Sequence, residues 1–380
     1  MDHQHALSYA GYAPTVKQFK KWKKKHNVKE DGQSQYETWL ANLYRVVQHN
    51  REAVSGNHSF VVGMNQFAGM TAEEFAKVFL FESRSVPFGT PMSVSALNLG
   101  EKEELPNDWD WRTEGIVTPV KDQGHCGSCW AFATVASLEG LYNFEHKNGK
   151  MGGVDHRCNS TCINGGRCCA FSEQEMADCT RKGHFTCQTG GEMADAFWEL
   201  AHNKKGILSI GKSYPYTSGH SRTLGSCHSG RVEVNTGIKG YAQVAEEDEQ
   251  ALKTAVFKRP CVASAVDASS WEFQLYLWGI FDASTCTKEV NHAITLVGYG
   301  EDYHGPAIGL GVKATGKHWL IKNSWGQNWG MNGYMMLARD AGNLCGIANE
   351  AMYPVSKRQE ATGEKPVQGS KLSGGLHISE

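Results

Sequence analysis

The chain of 380 residues is long enough to form two or three domains with buried cores. Hydrophobic residues make up 40% and charged residues 21% of the chain, which excludes a disordered protein. The formal net charge of −2 gives no field that would recruit nucleic acid or an acidic membrane surface. No apolar run approaches the roughly 18 residues that a membrane-spanning helix needs.

The cysteine content indicates an oxidising compartment. Twelve cysteines are many for a reducing environment, where disulfides do not persist. The first fifteen residues lack the basic start and apolar stretch of a secretory signal, so we expect a signal peptide that this sequence does not include. N-glycosylation triplets at Asn57 and Asn159 agree with secretory passage.

Two helical patterns occupy the N-terminal region. The first covers residues 16–30 and is rich in lysine, which predicts a solvated helix face, with a polyanion-binding patch as the alternative. The second has one apolar face with asparagines beside it. These faces are formed by Val16, Phe19 and Trp22 in the first helix and by Trp39, Asn42, Leu43, Val46, Val47 and Asn50 in the second.

A strand and a third helix follow. Residues 60–67 read as a strand, and Thr71 can cap the next helix in a capping box with Glu74. Residues 82–104 are rich in Ser, Pro and Gly and then in Glu, which predicts an exposed linker.

A change in composition at Leu105-Pro106 marks the start of a separate globular unit that runs to about Val355. The tail, residues 356–380, has no apolar periodicity and is predicted to be disordered. The sequence contains no internal repeat.

The globular unit predicts helices first and an antiparallel β region afterwards, which is an α+β pattern. The stretch from Cys129 to Phe144 is apolar almost all round, as in a buried helix. Another helix is predicted over 192–203. Short strands separated by glycine are predicted at 262–266, 293–299, 318–322 and 333–337.

The stretch from Gln123 to Trp130 contains two cysteines in a C-x-x-C spacing. This spacing also occurs in redox sites, but those follow a strand in a βαβ unit, and nothing upstream supplies one. Alternatively, Cys129 opens a buried helix, where the helix dipole and unpaired amides would lower the pKa of the thiol. A histidine partner would then make it a nucleophile.

Three stretches together resemble the papain and cathepsin family of cysteine peptidases over residues 105–355. They are Gln123-Gly-His-Cys-Gly-Ser-Cys-Trp130, Asn291-His-Ala293 and Lys322-Asn-Ser-Trp-Gly326. The resemblance implies that Cys129 is the nucleophile and that His292 is the general base and acid. It further implies that Asn323 orients the imidazole, that Trp325 shields that hydrogen bond, and that Gln123 forms the oxyanion hole with the Cys129 amide.

The same resemblance implies an α+β, papain-like fold of two lobes: a helical lobe over about 112–242 and an antiparallel β-barrel lobe over 243–355. His292 lies 163 positions after Cys129, more than the ~130–150 typical of the family. We attribute much of the excess to an insertion over about 147–169.

Residues 1–104 resemble an inhibitory propeptide of the cathepsin L type, with a helical core over about 15–80. Trp39, Asn42, Val46 and Asn50 match the later half of its helical signature, whose earlier Glu and Arg are missing at Gly32 and Tyr36. Gly63-x-Asn65-x-Phe67 matches its second signature, in which Gly69 replaces the usual Asp. We therefore expect a zymogen that loses the propeptide near residues 101–105 at acid pH, as carboxylates of the propeptide protonate.

The family pattern also implies disulfides and a substrate cleft. The pairs are Cys126–Cys187, Cys179–Cys227 and Cys286–Cys345, with Cys261 as a buried free thiol. Four more cysteines, Cys158, Cys162, Cys168 and Cys169, favour extra disulfides, with zinc binding as the alternative. The implied cleft residues are Gly190 and Gly191, the pocket residues Met193, Ala265, Val290 and Ala293, and Glu350 at the pocket floor.

The implied function is a cysteine endopeptidase that cuts proteins and peptides and accepts apolar or basic residues two before the cut. A binding or storage protein and a transacylating ligase on the same fold are the alternatives. The resemblance implies no cofactor and no metal, inhibition by cystatin-type proteins, a monomer, and a lysosomal, vacuolar or secreted location. It implies neither nucleic-acid nor membrane partners.

Overall fold

The computed structural model describes residues 15–28, 33–81, 104–146, 169–180, 184–302, 312 and 314–357. The helices are α1 Val16–His26, α2 Gln33–Val54, α3 Ala72–Phe79, α4 Cys129–Glu145, α5 Glu173–Cys179, α6 Met193–His202, α7 Ser218–Ser221, α8 Glu249–Lys258 and α9 Trp271–Gln274. The strands are β1 Phe60–Val62, β2 Trp109–Asp110, β3 Ile207–Ser209, β4 Glu233–Asn235, β5 Ile238–Gln243, β6 Val262–Val266, β7 Tyr276–Phe281, β8 His292–Asp302, β9 Thr315–Lys322, β10 Tyr334–Ala338 and β11 Met352–Ser356.

The two long N-terminal helices are held together by aromatic side chains. Phe19 and Trp22 of α1 are buried against Trp39 of α2, with ring centroids 5.5 and 6.4 Å from it. The first helix is shorter than predicted because Asn27 adopts a left-handed conformation with φ of 50° and ends it after His26. The predicted apolar faces are buried except for Val16, which is 52% exposed, and Val47, which is partly buried.

The predicted strand over 60–67 is also shorter, since β1 ends at Val62. Beyond it the Asn65 side-chain oxygen accepts a hydrogen bond from the Phe67 N–H at 3.0 Å, which turns the chain. β1 pairs antiparallel with β7, with Phe60 opposite Gly279. The N-terminal region thus adds a strand to the sheet of the second unit.

The third helix begins as predicted. The Thr71 hydroxyl accepts from the Glu74 N–H at 3.1 Å, and the Glu74 carboxylate accepts from the Thr71 N–H at 2.9 Å, which completes the capping box. Phe75 and Phe79 form the buried face of this helix, so its end points into the second unit.

Helix α4 is the central helix of the second unit. Its apolar sequence buries nearly every position, and Cys129 is its first residue. It packs against α5, α6 and the strands β6 and β8. Helix α5 was not predicted, because its buried face includes charged residues such as Glu173 and Glu175.

Nine strands of the described chain join in one sheet, in the order β1-β7-β10-β9-β8-β6-β11-β5, with β2 paired to β8. The four predicted strands correspond to β6, β8, β9 and β10. Most neighbours are antiparallel, as expected, but β7 and β10 run parallel to each other. The long strand β8 lies between β6 and β9, and its first residue, His292, faces the start of α4.

The structure contains the three implied disulfides, Cys126–Cys187, Cys179–Cys227 and Cys286–Cys345. Cys261 is a buried free thiol, as expected, and Cys169 is disulfide-bonded. The remaining cysteines of the insertion, Cys158, Cys162 and Cys168, lie outside the described residues. So do Asn159, the linker 82–103 and the tail from residue 358. Of the helices in the described part of the chain, none is long and apolar enough to cross a membrane.

Candidate active site

Cys129 lies at the amino-terminal end of α4 and is fully buried. The Cys126–Cys187 disulfide and a hydrogen bond of 2.8 Å from the Gly127 N–H to the Cys187 carbonyl fix the preceding turn. The Ala293 N–H donates to the Cys129 sulfur at 3.5 Å, so the start of β8 lies directly against the thiol. The first turn of a buried helix and the first residues of a central strand therefore bring this site together.

The sequence predicts a lowered thiol pKa, and in this structure that prediction is wrong. Burial raises the pKa of Cys129 to about 12, while backbone N–H groups of Ala293 and Trp130 act in the opposite direction without offsetting it. Cys129 has no exposed surface, and Phe81 of the N-terminal region belongs to the same apolar cluster.

His292 forms a hydrogen-bonded pair with Asn323. Its Nε2 lies 2.8 Å from the side-chain oxygen of Asn323, which follows directly after β9. The Trp325 ring stacks on the imidazole at a centroid distance of 4.4 Å and is itself buried. Burial lowers the pKa of His292 to about 4, although the hydrogen bond to Asn323 acts to raise it. Between these two pKa values the covered site holds a neutral thiol and a neutral imidazole.

Gln123 is buried three residues before Cys126, and hydrogen bonds fix the orientation of its amide group. The Ser324 hydroxyl donates to the Gln123 side-chain oxygen at 2.6 Å, which leaves the NH₂ group to donate to the Cys126 and Phe79 carbonyls at 3.0 and 3.3 Å. The role of Ser324 was missed from the sequence, although it belongs to the Lys322–Gly326 motif. Its position between Asn323 and Trp325 is the signal that could have identified it.

The N-terminal region enters the site through residues 79–81. The Phe79 carbonyl accepts from Gln123, and the Phe81 N–H donates to the Asn291 carbonyl at 2.9 Å. The Phe81 side chain is buried in one apolar cluster with Cys129 and Trp130. A main chain in this position blocks the approach of a substrate to the sulfur.

The side chain of Phe81 belongs to the same apolar cluster as the predicted substrate pocket. All four predicted pocket residues are buried and belong to its cluster, together with Met352; they are Met193, Ala265, Val290 and Ala293. Glu350 lies two positions before Met352 and is partly buried. Burial raises the pKa of its carboxyl group, and the nearby charge of Glu246 acts in the same direction.

Gly190 and Gly191, the predicted cleft residues, lie close to the side chains of Phe81 and Trp130. A Cβ on Gly190 would lie 2.4 Å from the Cβ of Phe81, and one on Gly191 would lie 2.6 Å from the Trp130 ring. Gly190 also has a positive φ of 66°, which favours glycine. The preceding segment contains one residue more than the usual family sequence. A turn closed by the hydroxyls of Thr186 and Thr189 accommodates it.

The N-terminal region is also bound to the enzyme side by amide side chains. Gln66 donates to the Trp325 carbonyl at 2.8 Å, and Asn65 donates to the Gln274 carbonyl at 2.9 Å. The Phe67 and Phe75 rings lie edge-on to the Trp325 ring at 5.6 and 5.0 Å. Trp325, whose ring stacks on His292, is therefore covered in turn by the N-terminal region.

A buried ionic network lies behind the site and was not predicted. Lys121 donates to Glu139 at 2.7 Å and also to Glu173, and burial opposes its charge, but the two carboxylates together raise its pKa. Thr118 donates to Glu139 and accepts from Lys322 at 2.8 Å. Since Glu139 lies in the helix of Cys129 and Lys322 precedes Asn323, the network connects the two halves of the site.

Comparison with known proteins agrees with this architecture. The family described as papain family cysteine protease matches residues 105–355, and the cathepsin propeptide inhibitor domain (I29) matches residues 19–75. Cathepsin K of Mus musculus is 34% identical over 343 residues, which are 89% of this chain and 92% of that protein. A cathepsin L-like proteinase of Fasciola hepatica is 35% identical over 346 residues, with the same coverage.

Solved proenzyme structures are similar over nearly their whole length. The proform of Amb a 11, a cysteine protease and ragweed pollen allergen, has a TM-score of 0.71 and 27% identity, and the match covers 94% of this chain and 98% of that one. Digestive procathepsin L 3 from the midgut of Tenebrio molitor larvae has a TM-score of 0.71 and 29% identity, with 90% and 100% covered. The chain therefore belongs to the papain family of cysteine proteases and is a precursor that carries its own inhibitory propeptide domain.

Proposed function

We propose that the mature enzyme is an endopeptidase in which Cys129 is the nucleophile and His292 the general base and acid. The observation that carries this assignment is the hydrogen bond of 2.8 Å between His292 and Asn323, beside a thiol at the start of α4. Asn323 fixes the imidazole so that its other nitrogen, Nδ1, is directed away from Asn323. That nitrogen is buried and has no hydrogen-bond partner within the described residues.

The reaction follows from this arrangement. In the open enzyme the Cys129 proton moves to His292, and the thiolate attacks the carbonyl carbon of the peptide bond. His292 then gives the proton to the leaving amine as the C–N bond breaks, and a thioester remains on Cys129. Water, deprotonated by His292, attacks the thioester and releases the carboxylate product and the free thiol.

Gln123 supplies the oxyanion hole in this proposal. In the precursor its NH₂ group donates to the carbonyl oxygen of Phe79, which stands in for the oxygen of the scissile bond. The Cys129 N–H at the helix start is the second donor. Loss of one such donor typically reduces the rate by ~10²–10³.

The apolar pocket in the cluster of Phe81 is proposed to bind the substrate residue two before the cut. Its walls of Met193, Ala265, Val290 and Ala293 suit an apolar side chain. A substrate Arg or Lys would pack its methylene groups on the same walls and pair with Glu350. Glycines 190 and 191 would then hydrogen-bond the substrate backbone as an added strand.

Activation is proposed to occur by loss of the propeptide, residues 1–104, at acid pH, which releases the protease domain of residues 105–355. A disulfide-rich zymogen fits a lysosomal, vacuolar or secreted setting. We further propose that the mature enzyme acts as a monomer and that cystatin-type inhibitors bind the cleft that the propeptide vacates.

The test uses two cysteine variants of the same chain. Cys129→Ala should abolish peptide hydrolysis and labelling by an epoxide or vinyl-sulfone probe after acid treatment. Cys261→Ala, the matched control at the other buried free thiol, should retain both. Labelling that persists in Cys129→Ala would show that the nucleophile has been assigned to the wrong residue.

A further inference from the structure

Two histidines of the propeptide stack where its strand joins the protease sheet. The rings of His49, in α2, and His58, in the turn before β1, lie 4.2 Å apart with planes 7° apart. His49 is 5% exposed and packs on Phe60 at 4.6 Å. Its ring also lies edge-on to Trp271 of the protease domain at 6.0 Å. The histidine pair is therefore part of the contact between inhibitor and enzyme.

We propose that His49 is an acid sensor whose protonation releases the propeptide from the protease domain. The proposal rests on the proposed activation at acid pH and names the group that responds to it. It also differs from the carboxylate mechanism expected from the sequence. The usual Asp of the second propeptide signature is absent, and a Cβ on Gly69 would lie 2.8 Å from the Trp22 ring, so the site has no room for a side chain.

The surroundings of His49 favour its neutral form. Nε2 lies 3.2 Å from the Phe60 carbonyl, and Phe60 and Trp271 enclose the ring. Burial, together with the nearby charge of His58, lowers the pKa of His49 to about 4, although the Phe60 carbonyl and Glu52 act to raise it. A proton on His49 would place a charge inside an apolar contact.

Other charged groups near the contact offset only part of the cost of that proton. Glu52 is already paired with His58, with its oxygen 3.1 Å from the His58 Nε2. Arg45 lies over the Trp271 ring at 5.9 Å and adds positive charge. On the protease side, the Glu272 carboxylate accepts from the Thr285 hydroxyl at 3.3 Å.

The contact between β1 and β7 next to the histidine pair is tightly packed. The Ser59 hydroxyl donates to the Ile280 carbonyl, and Phe60 packs on Phe281 at 4.8 Å. A Cβ on Gly279 would lie 2.4 Å from the Ser59 carbonyl oxygen. Because this contact has little free space, movement of a solvated His49 ring would separate β1 from β7.

The direction of the pH response follows from linkage. A histidine with a pKa of about 6.5 when exposed and about 4 when buried binds a proton more readily in the released propeptide. The contribution of neutral His49 to the stability of the closed state is thus complete above pH 6.5 and is lost as the pH falls towards 4. The release equilibrium should shift about 10-fold by pH 5.5 and on the order of 10²-fold by pH 4.5.

The experiment measures propeptide removal from a full chain that cannot process itself. Every substrate carries Cys129→Ala, and a trace of mature parent enzyme cleaves it at pH values from 7.5 to 4.5. At each pH the rate is divided by the rate for a peptide copy of residues 96–110, which corrects for the pH dependence of the added enzyme. His49→Gln is compared with the parent and with His202→Gln, an exposed histidine on α6.

We expect the corrected rate of the parent to rise about 10-fold between pH 7.5 and 5.5. His49→Gln should rise less than threefold, and His202→Gln should follow the parent. An equal rise in His49→Gln would overturn the proposal but leave the proposed activation intact, whereas a flat parent profile would overturn both.

A second measurement covers the case in which His49→Gln loosens the contact and is cleaved rapidly at pH 7.5. Hydrogen–deuterium exchange at the imidazole C2 position, followed by mass spectrometry, reports the pKa of His49 in the Cys129→Ala chain and in the released propeptide. A pKa below 5 in the first and near 6.5 in the second supports the proposal. Values near 6.5 in both would refute it.

Discussion

Replacement of Phe81 by alanine should open the zymogen at neutral pH. Phe81 is 6% exposed, and its side chain belongs to the apolar cluster that contains Met193, Ala265 and Val290. Burial of a phenylalanine side chain contributes about 1.5–3 kcal/mol. Truncation in a protein core costs about 3–5 kcal/mol, but the emptied pocket faces the cleft and water can enter it. We therefore expect Phe81→Ala to destabilise the closed zymogen relative to the open one by about 2–3 kcal/mol.

This loss corresponds to a rise of about 30- to 140-fold in the open fraction of the zymogen, since each 1.4 kcal/mol is tenfold. The assay is the rate at which a vinyl-sulfone probe labels Cys129 in the intact precursor at pH 7.5, because the sulfur reacts only when residues 79–81 leave. Phe81→Leu, which keeps most of the apolar area, should raise the rate less than 10-fold.

The control is Val54→Ala, at the end of α2, where the side chain is 49% exposed. The probe should label Cys129 of this variant at the parent rate. All variants should retain the thermal unfolding profile of the parent protease domain. If Phe81→Ala labels within twofold of the parent, Phe81 does not hold the cleft closed and the inhibition must come from the strand and the aromatic contacts alone.

Two further predictions concern the mature enzyme. Ser324→Ala should lower kcat by about 10-fold and leave KM within twofold, because the Gln123 amide loses the hydrogen bond that orients it. This loss is smaller than the ~10²–10³ that removal of an oxyanion-hole donor typically costs. An unchanged kcat would contradict the orienting role of Ser324. Glu350→Ala should reduce the kcat/KM ratio of Arg over Leu substrates several-fold at neutral pH, in line with about 1 kcal/mol for a partly exposed pair. Burial raises the pKa of Glu350, so as the pH falls the parent should lose its preference for Arg at a higher pH than an enzyme with an ordinary glutamate would. If the ratio of kcat/KM for Arg over Leu is equal in both proteins, Glu350 does not contact the substrate side chain.

The sequence predicted best those elements whose pattern has a single physical interpretation. Helix α4 is apolar on all sides, so a buried helix was the only consistent reading, and Cys129 at its start followed. The capping box of Thr71 and Glu74 is local chemistry and was equally predictable. These features depend on neighbours in the sequence and not on the rest of the fold.

Elements that depend on distant partners were missed or misjudged. Helix α5 has buried carboxylates, and only the structure shows that Lys204 pairs with Glu175 and Lys121 with Glu173. The predicted strand was too long because the turn at Asn65 was not recognised. The burial of Phe81 beside Cys129 was not predicted, because this residue lies between the predicted helix and the predicted linker.

The wrong sign for the Cys129 pKa has a physical meaning for the zymogen. The helix dipole and the amides of Trp130 and Ala293 favour a thiolate, as the sequence predicts, but they do so in competition with desolvation. If the proposed nucleophile is correct, we expect the propeptide to act on the chemistry as well as on access, because a cover over the site excludes both substrate and the water that a charged pair needs.

Removal of residues 79–81 should reverse both effects together. Water then returns to the cleft, and the desolvation that raises the pKa of Cys129 and lowers that of His292 becomes smaller. The Asn323 bond and the helix dipole remain, and both favour the ion pair. We therefore expect activation to proceed without rearrangement of the proposed catalytic residues, because the His292–Asn323 pair and the Cys129 thiol already lie together in the precursor. Departure of the propeptide would then supply the solvent that allows the proton to move.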